Sequence, residues 1–201
     1  MLTTGTPFRV EESQQLEVGR LLADGLLEPL LHSVVGPLGC ARDLDARVAA
    51  AVLALPARLL DRAALAQAAA AWIWCGGAPP GLIDVAVPPG RSVPRVPAVA
   101  LHERRMPPQD VVQLPSGGSS VQVTTATRTL VHLLRLLPEA PAVVAAAPLA
   151  AYPGVTPDGV AACLDRMPRA RGVPRARVLA GALVFGPDGE PAQSMRLPVI
   201  R

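Results

Sequence analysis

The sequence predicts an α+β protein, and three observations carry that expectation. Apolar residues recur at helical spacing over residues 9–25, 44–74 and 125–183, whereas the block 82–124 alternates with a period of two. Breakers separate these blocks, in keeping with 23 Pro and 17 Gly in 201 residues. The strand-like segments are joined by Pro107-Pro108 and Pro115-Ser116-Gly117-Gly118, which are too short to hold the crossover helices of an all-parallel sheet.

Each element can be justified in turn. From Arg9 to Gly25, Val10, Leu16, Val18, Leu21 and Leu22 form one apolar face, and Gly25 ends the helix. Leu26 to Pro37 is an apolar, hairpin-like run with breakers at both ends. A helix, a glycine and a hairpin outline the last part of a winged helix; a helix with an edge strand packed on the following domain is the plainer alternative. Asp43 or Asp45 caps a helix over Leu44–Leu55, which Pro56 stops, and a second helix over Asp61–Trp74 completes a helical hairpin. Leu82–Val87, Val96–His102, Asp110–Leu114 and Ser120–Thr124 are expected to form a small, mostly antiparallel sheet. Helices return over Thr125–Leu137, Glu139–Ala151, Thr156–Met167 and Arg171–Leu183, with Thr156 as a cap. The expected division is a degenerate winged-helix unit over 1–39, an α+β domain over 40–185 and a flexible tail over 186–201.

Composition narrows the function. Half of the residues are hydrophobic but only 2% are aromatic, so the core is built from Leu, Val and Ala, and stacking platforms for bases are not expected. All 19 basic residues are Arg and none is Lys, which together with the Ala and Pro excess reflects coding bias. The net charge of +3 is unevenly placed: residues 1–39 carry −3 and the remainder +6. Cys40, Cys75 and Cys163 are three in number and form no CxxC, so neither a disulfide framework nor a zinc site is expected. The most apolar stretch, 140–151, is broken by Pro141 and Pro148 and falls short of the ~20 residues that span a bilayer. With no basic run and apolar core at the N-terminus, a soluble, cytoplasmic protein without membrane partner is expected.

Catalytic constellations do not assemble. His32, His102 and His132 lie far apart in the sequence, and none sits in an HExxH or H-x-E context. Ser116-Gly117-Gly118-Ser119-Ser120 lacks the Lys of a phosphate loop and reads as a hairpin turn. Cys75, beside Trp74, has the apolar setting of an inert thiol. The expectation is a protein that acts by binding, with no catalytic residues, no metal and no cofactor.

The basic residues are the chemistry present. Arg166, Arg169, Arg171, Arg175 and Arg177 fall within a dozen positions, and Arg171 and Arg175 are spaced to share a helix face. Such a cluster either holds several phosphates or forms a solvated surface. Arg128, in the first turn of its helix, opposes the helix dipole, so it either bridges the sheet to the helices from a buried position or contacts a phosphate. Gln14, Gln15 and Arg20 on the first helix, with His32 in the hairpin, complete the candidate DNA contacts.

Taken in order, Leu22–Leu26 with Val34-Val35, Leu44–Arg47, Ala68–Trp74, Val85–Arg91, Thr124–Leu130 and Arg171–Arg177 resemble the AbiEi-type antitoxin family of transcriptional regulators from type IV (abortive-infection) toxin–antitoxin systems. The resemblance implies a winged helix-turn-helix fused to an α+β antitoxin domain, double-stranded DNA as partner and repression of its own operon. It also implies opposition to a nucleotidyltransferase-like toxin; a homodimer is the expected assembly. The chain departs from the family in three places. Few residues precede Gly25, the helix before it is acidic, and His132 stands where relatives often carry Asp. The acidity supports the alternative function, a protein-interaction module that binds or neutralises a partner without reading DNA. Gly189–Arg196 resembles the opening of an endonuclease-like domain found in some relatives, and an enzymatic function rests on that likeness alone.

Overall fold

The computed structural model describes residues 6–90 and 95–184; the expected tail over 186–201, with its nuclease-like segment, lies outside the described residues. The fold is α+β, with helices and two sheets, and the chain divides into two compact units between Thr125 and Ala126.

The first unit opens with β1 (Phe8–Arg9), a 3-10 turn over Glu12–Gln14 and α1 (Gln15–Ala23). Gly25 follows at φ 68°, the left-handed conformation that a glycine adopts without strain, and the chain turns into β2 (Leu27–Leu31) and β3 (Val34–Pro37). These strands form an antiparallel three-stranded sheet in the order β1-β3-β2. The expected single helix over 9–25 is thus shorter, because Phe8 and Arg9 pair with Val35 and Val34 instead.

A 3-10 turn at Cys40–Arg42 leads to α2 (Leu44–Ala54), whose first turn is capped by Asp43 accepting from the Asp45 amide. Then come α3 (Ala57–Leu60), β4 (Ala64–Leu65) and α4 (Gln67–Cys75). The expected helix over Asp61–Trp74 begins late because Ala64 and Leu65 pair with β5 and β8, which draws them into extended conformation. β5 (Ile83–Val87), β6 (Val99–Glu103), β7 (Val111–Ser116) and β8 (Ser119–Thr124) complete a five-stranded sheet ordered β6-β5-β4-β8-β7. The sheet is mixed rather than mostly antiparallel: β5–β6 and β4–β8 are parallel, and β4–β5 and β7–β8 antiparallel. The β4–β8 pairing joins strands distant in sequence, and β5 runs parallel to the very next strand, β6; local turn signals reveal neither.

One face of this sheet, carrying Leu65, Ile83, Val85, Val87, Val121 and Val123, is buried with Val48, Ala51, Ala70 and Ile73 of α2 and α4. Leu30, Leu31, Val34 and Cys40 belong to the same core, and the Ala41 amide donates to Glu28 Oε1 at 2.7 Å. A Cβ on Gly36 would lie 2.4 Å from Cys40 Sγ, so β3 is pressed directly onto the 3-10 turn. The expected boundary at 39/40 therefore falls inside one hydrophobic core, and the division observed lies at 125/126.

The second unit contains α5 (Ala126–Leu136), α6 (Glu139–Ala150), α7 (Pro157–Asp165) and α8 (Val173–Val184). α6, α7 and α8 all pack on α5, and every residue of α5 from Arg128 to Arg135 is buried. Thr156 caps α7 by accepting from the Gly159 amide at 3.1 Å. No helix among the described residues is long and apolar enough to cross a membrane.

Candidate nucleic-acid interface

A central helix that is buried on all sides must find partners for any polar group it carries, since an unpartnered buried charge is strongly destabilising. α5 carries Arg128, His132 and Arg135, spaced i, i+4, i+7 and so aligned along one stripe. Arg128 is 5% exposed and donates from Nε to Nε2 of the fully buried His132 at 2.9 Å. At that burial its guanidinium is held within the protein rather than presented to solvent, which is not the setting of a surface phosphate contact. Of the two expectations for this residue, the buried one describes its setting.

Arg135 reaches across to the turn between α7 and α8. Its Nε and Nη2 donate to Arg171 O at 3.1 and 2.9 Å, and Nη1 approaches Met167 Sδ at 3.4 Å. Arg175 returns the contact, its Nη2 donating to Leu134 O, Arg135 O and Leu137 O, the last carbonyls of α5 and of the turn beyond it. Those carbonyls have no partner within the helix, and a cation there also matches the negative end of the helix dipole. Gly172 makes the approach feasible: a Cβ there would meet Arg135 O at 2.4 Å, and its φ is 82°.

Arg135, Arg171 and Arg175, with Leu136 and Gly172, line a notch of about 370 Å³. Backbone carbonyls satisfy N–H donors without neutralising charge, so three formal positive charges face this notch. Among the described residues, the exposed Arg171 side chain makes no hydrogen bond, and Arg175 Nε is buried without an acceptor. Exposed Arg169 and Arg166 lie on the same α7–α8 segment, Arg166 donating to Ala162 O at 3.2 Å. Arg177 is exposed but ion-paired with Asp165, which reduces what it offers a phosphate. α8 starts at Val173, so Arg171 precedes the helix; it and Arg175 meet in the notch rather than on a shared helix face.

Sequence reasoning missed Arg135. The signal was present in the Arg-His-Arg spacing along α5, but identifying that stripe as internal requires knowing that three helices surround it.

The other candidates lie in the first unit. Gln15 and His32 line a cleft of about 300 Å³ between α1 and the β2–β3 hairpin, with Val18, Leu22 and Val35 among its apolar walls. His32 occupies the hairpin turn at φ 46° and is exposed. Gln14 is used locally, its Oε1 accepting from the Glu11 amide at 3.1 Å. Arg20 is exposed on α1, but so are Glu11, Glu12, Glu17 and Asp24 around it, and Leu16 is 86% exposed. That surface repels phosphates and presents an apolar side chain to solvent.

His102 Nε2 and Asp84 Oδ1 are 2.8 Å apart in the large sheet, and among the described residues no three His, Cys, Asp or Glu side chains gather as a metal site. No protein-family model matches the chain, and no curated protein matches it either.

Proposed function

We propose that this chain is a DNA-associated regulator of the antitoxin type, acting by binding rather than by catalysis, and that phosphates are held by the arginine notch of the second unit. The observation that carries this reading is the convergence of Arg135, Arg171 and Arg175 on one notch without a carboxylate lining it. Guanidinium groups pair with phosphate through parallel N–H bonds, and Arg135 and Arg175, already held by backbone carbonyls, lose little side-chain entropy on binding. The β1-β3-β2 sheet order with α1 before the hairpin supports the expected winged segment, the remnant of a DNA-reading unit. The acidic residues in and around α1 assign the electrostatic contribution to the second unit instead.

The test is a salt-titrated mobility shift on a duplex taken from upstream of the chain's own reading frame, beside a random duplex of equal length. Two to three phosphates neutralised at the notch give a log–log salt slope of about −2 to −3. Arg171→Glu weakens binding to both duplexes and makes the slope shallower by about 1. Affinity that does not change with salt, or that survives Arg171→Glu with Arg169→Glu, overturns the proposal.

A second reading is favoured by one observation, the largely exposed Leu16 amid the acidic residues in and around α1. It makes α1 an anchor for a basic partner protein, and the family resemblance implies a nucleotidyltransferase-like toxin in that role. Co-purification with the product of the adjacent gene, abolished by Leu16→Glu, supports it; a chain that binds DNA and no neighbouring product counts against it.

A further inference from the structure

The five-stranded sheet has a second face, opposite the core. Register puts His102, Ala86, Ala64, Gln122 and Gln113 in one row across all five strands. Strand alternation turns these residues away from α2 and α4, and the small Ala64 and Ala86 leave the middle of the row low. The result is a trough of about 380 Å³ in the first unit, floored by those two methyl groups.

Three kinds of chemistry converge on it. Arg62, two residues before β4, and Arg104, directly after β6, bring two guanidinium groups to its lining. Gln113 and Gln122 supply two amides, each a donor and an acceptor in one plane. Gln113 Nε2 already donates to Ser120 Oγ, which fixes that amide and leaves its carbonyl oxygen available, while half-buried Gln122 makes no side-chain hydrogen bond among the described residues. Met106 and Pro108 add apolar surface on which a ring can lie. The volume is at the lower end of the range of small-molecule sites, and the pattern of an apolar wall with a few convergent polar groups is theirs.

We propose that this trough binds a small organic phosphate of nucleoside monophosphate size. The phosphate sits against Arg62 and Arg104, the base lies on Met106 and Pro108, and the base edge meets the amides of Gln122 and Gln113. Guanidinium groups alone would accept any oxyanion. The paired amides are what select a heterocycle, since an amide matches a base edge through one donor and one acceptor.

Isothermal titration of the full chain with AMP, GMP, CMP and UMP, each beside its nucleoside and beside sodium phosphate, tests this. One nucleotide is expected to saturate a single site, with its nucleoside and phosphate each weaker by about tenfold or more. Arg62→Ala narrows the difference between nucleotide and nucleoside, and Gln122→Met weakens the nucleotide while leaving the weak phosphate binding unchanged. Both positions are away from the core, and circular dichroism checks that each variant is folded. Absence of nucleotide binding in the millimolar range overturns the proposal, as does phosphate binding as well as any nucleotide. Equal nucleotide binding by the wild type and both folded variants does the same. The trough shares no residue with the arginine notch, so either result leaves the DNA mobility shift as an independent measurement.

Discussion

Replacing Arg47 by Met tests how arginine is used in this protein. Arg47 sits on α2, is 5% exposed, and holds backbone carbonyls at both ends of its reach. Nε donates to Ile73 O at 2.8 Å, Nη1 to Ala41 O at 2.7 Å, and Nη2 approaches Trp74 O at 3.5 Å. Ile73 and Trp74 are the last turn of α4, so one side chain caps that helix and ties it to the 40–42 turn. Met keeps the aliphatic stem and removes the donors. Two short charge-assisted bonds at about 1.5–3 kcal/mol each, less the desolvation cost that the buried guanidinium no longer bears, leave a loss of about 3 kcal/mol. Against a total of about 5–15 kcal/mol for a domain, that loss is large. The assay reports locally, because both Trp residues of the chain, Trp72 and Trp74, lie on α4. Urea unfolding followed by their fluorescence should show the midpoint falling with the slope unchanged. Lys at the same position can reach one carbonyl at a time and should recover only part of the loss. A loss below about 1 kcal/mol for Arg47→Met would refute the reasoning, since that is the size of an ordinary surface change.

Other outcomes follow from the same geometry. Gly172→Ala sets a Cβ against Arg135 O at 2.4 Å in a left-handed conformation, and should destabilise the second unit by about 2–4 kcal/mol in a circular dichroism melt. Burial, reinforced by the neighbouring Glu28 carboxylate, pushes the Cys40 thiol up to about 11 from 9.0. The folded state therefore holds that proton more tightly than the unfolded state. The associated stability is intact below the unfolded value and is lost as pH rises from 9.0 towards about 11. Tryptophan-detected urea midpoints for the wild type should fall over this window by more than those of Cys40→Ala; parallel curves would exclude the effect. The double variant Arg169→Glu with Arg171→Glu should lower DNA affinity far more at low salt than at high salt, read from the mobility shift.

Much of the local architecture was legible in the residues. The period-two block gave the strands of the large sheet to within a few positions, and Asp43, Gly25 and Thr156 marked their helix ends, because caps and glycines act within a few bonds. β4 was not legible. Ala64-Leu65 lies in an Ala-rich segment with the propensity of a helix, and only its place between β5 and β8 makes it a strand.

The arginines divide the same way. Their number, the absence of Lys and their clustering after Asp165 are properties of the chain. Whether a given guanidinium faces solvent or a helix end is decided by which carbonyls the fold brings within reach. Arg9 meets Leu53 O, Arg47 meets the end of α4, Arg175 meets the end of α5, and Arg128 is enclosed with His132. A side chain of that length spans several residues' worth of structure, so its partner is set by packing distant in sequence. The sequence by itself determined the α+β class, most of the element order and the uneven charge. Tertiary structure alone decided the mixed pairing of the large sheet, the single core that unites residues 30–40 with the helices after them, and the arginines left to line the notch. Propensity and periodicity act between near neighbours, whereas strand partners and buried cations are chosen by the whole fold at once.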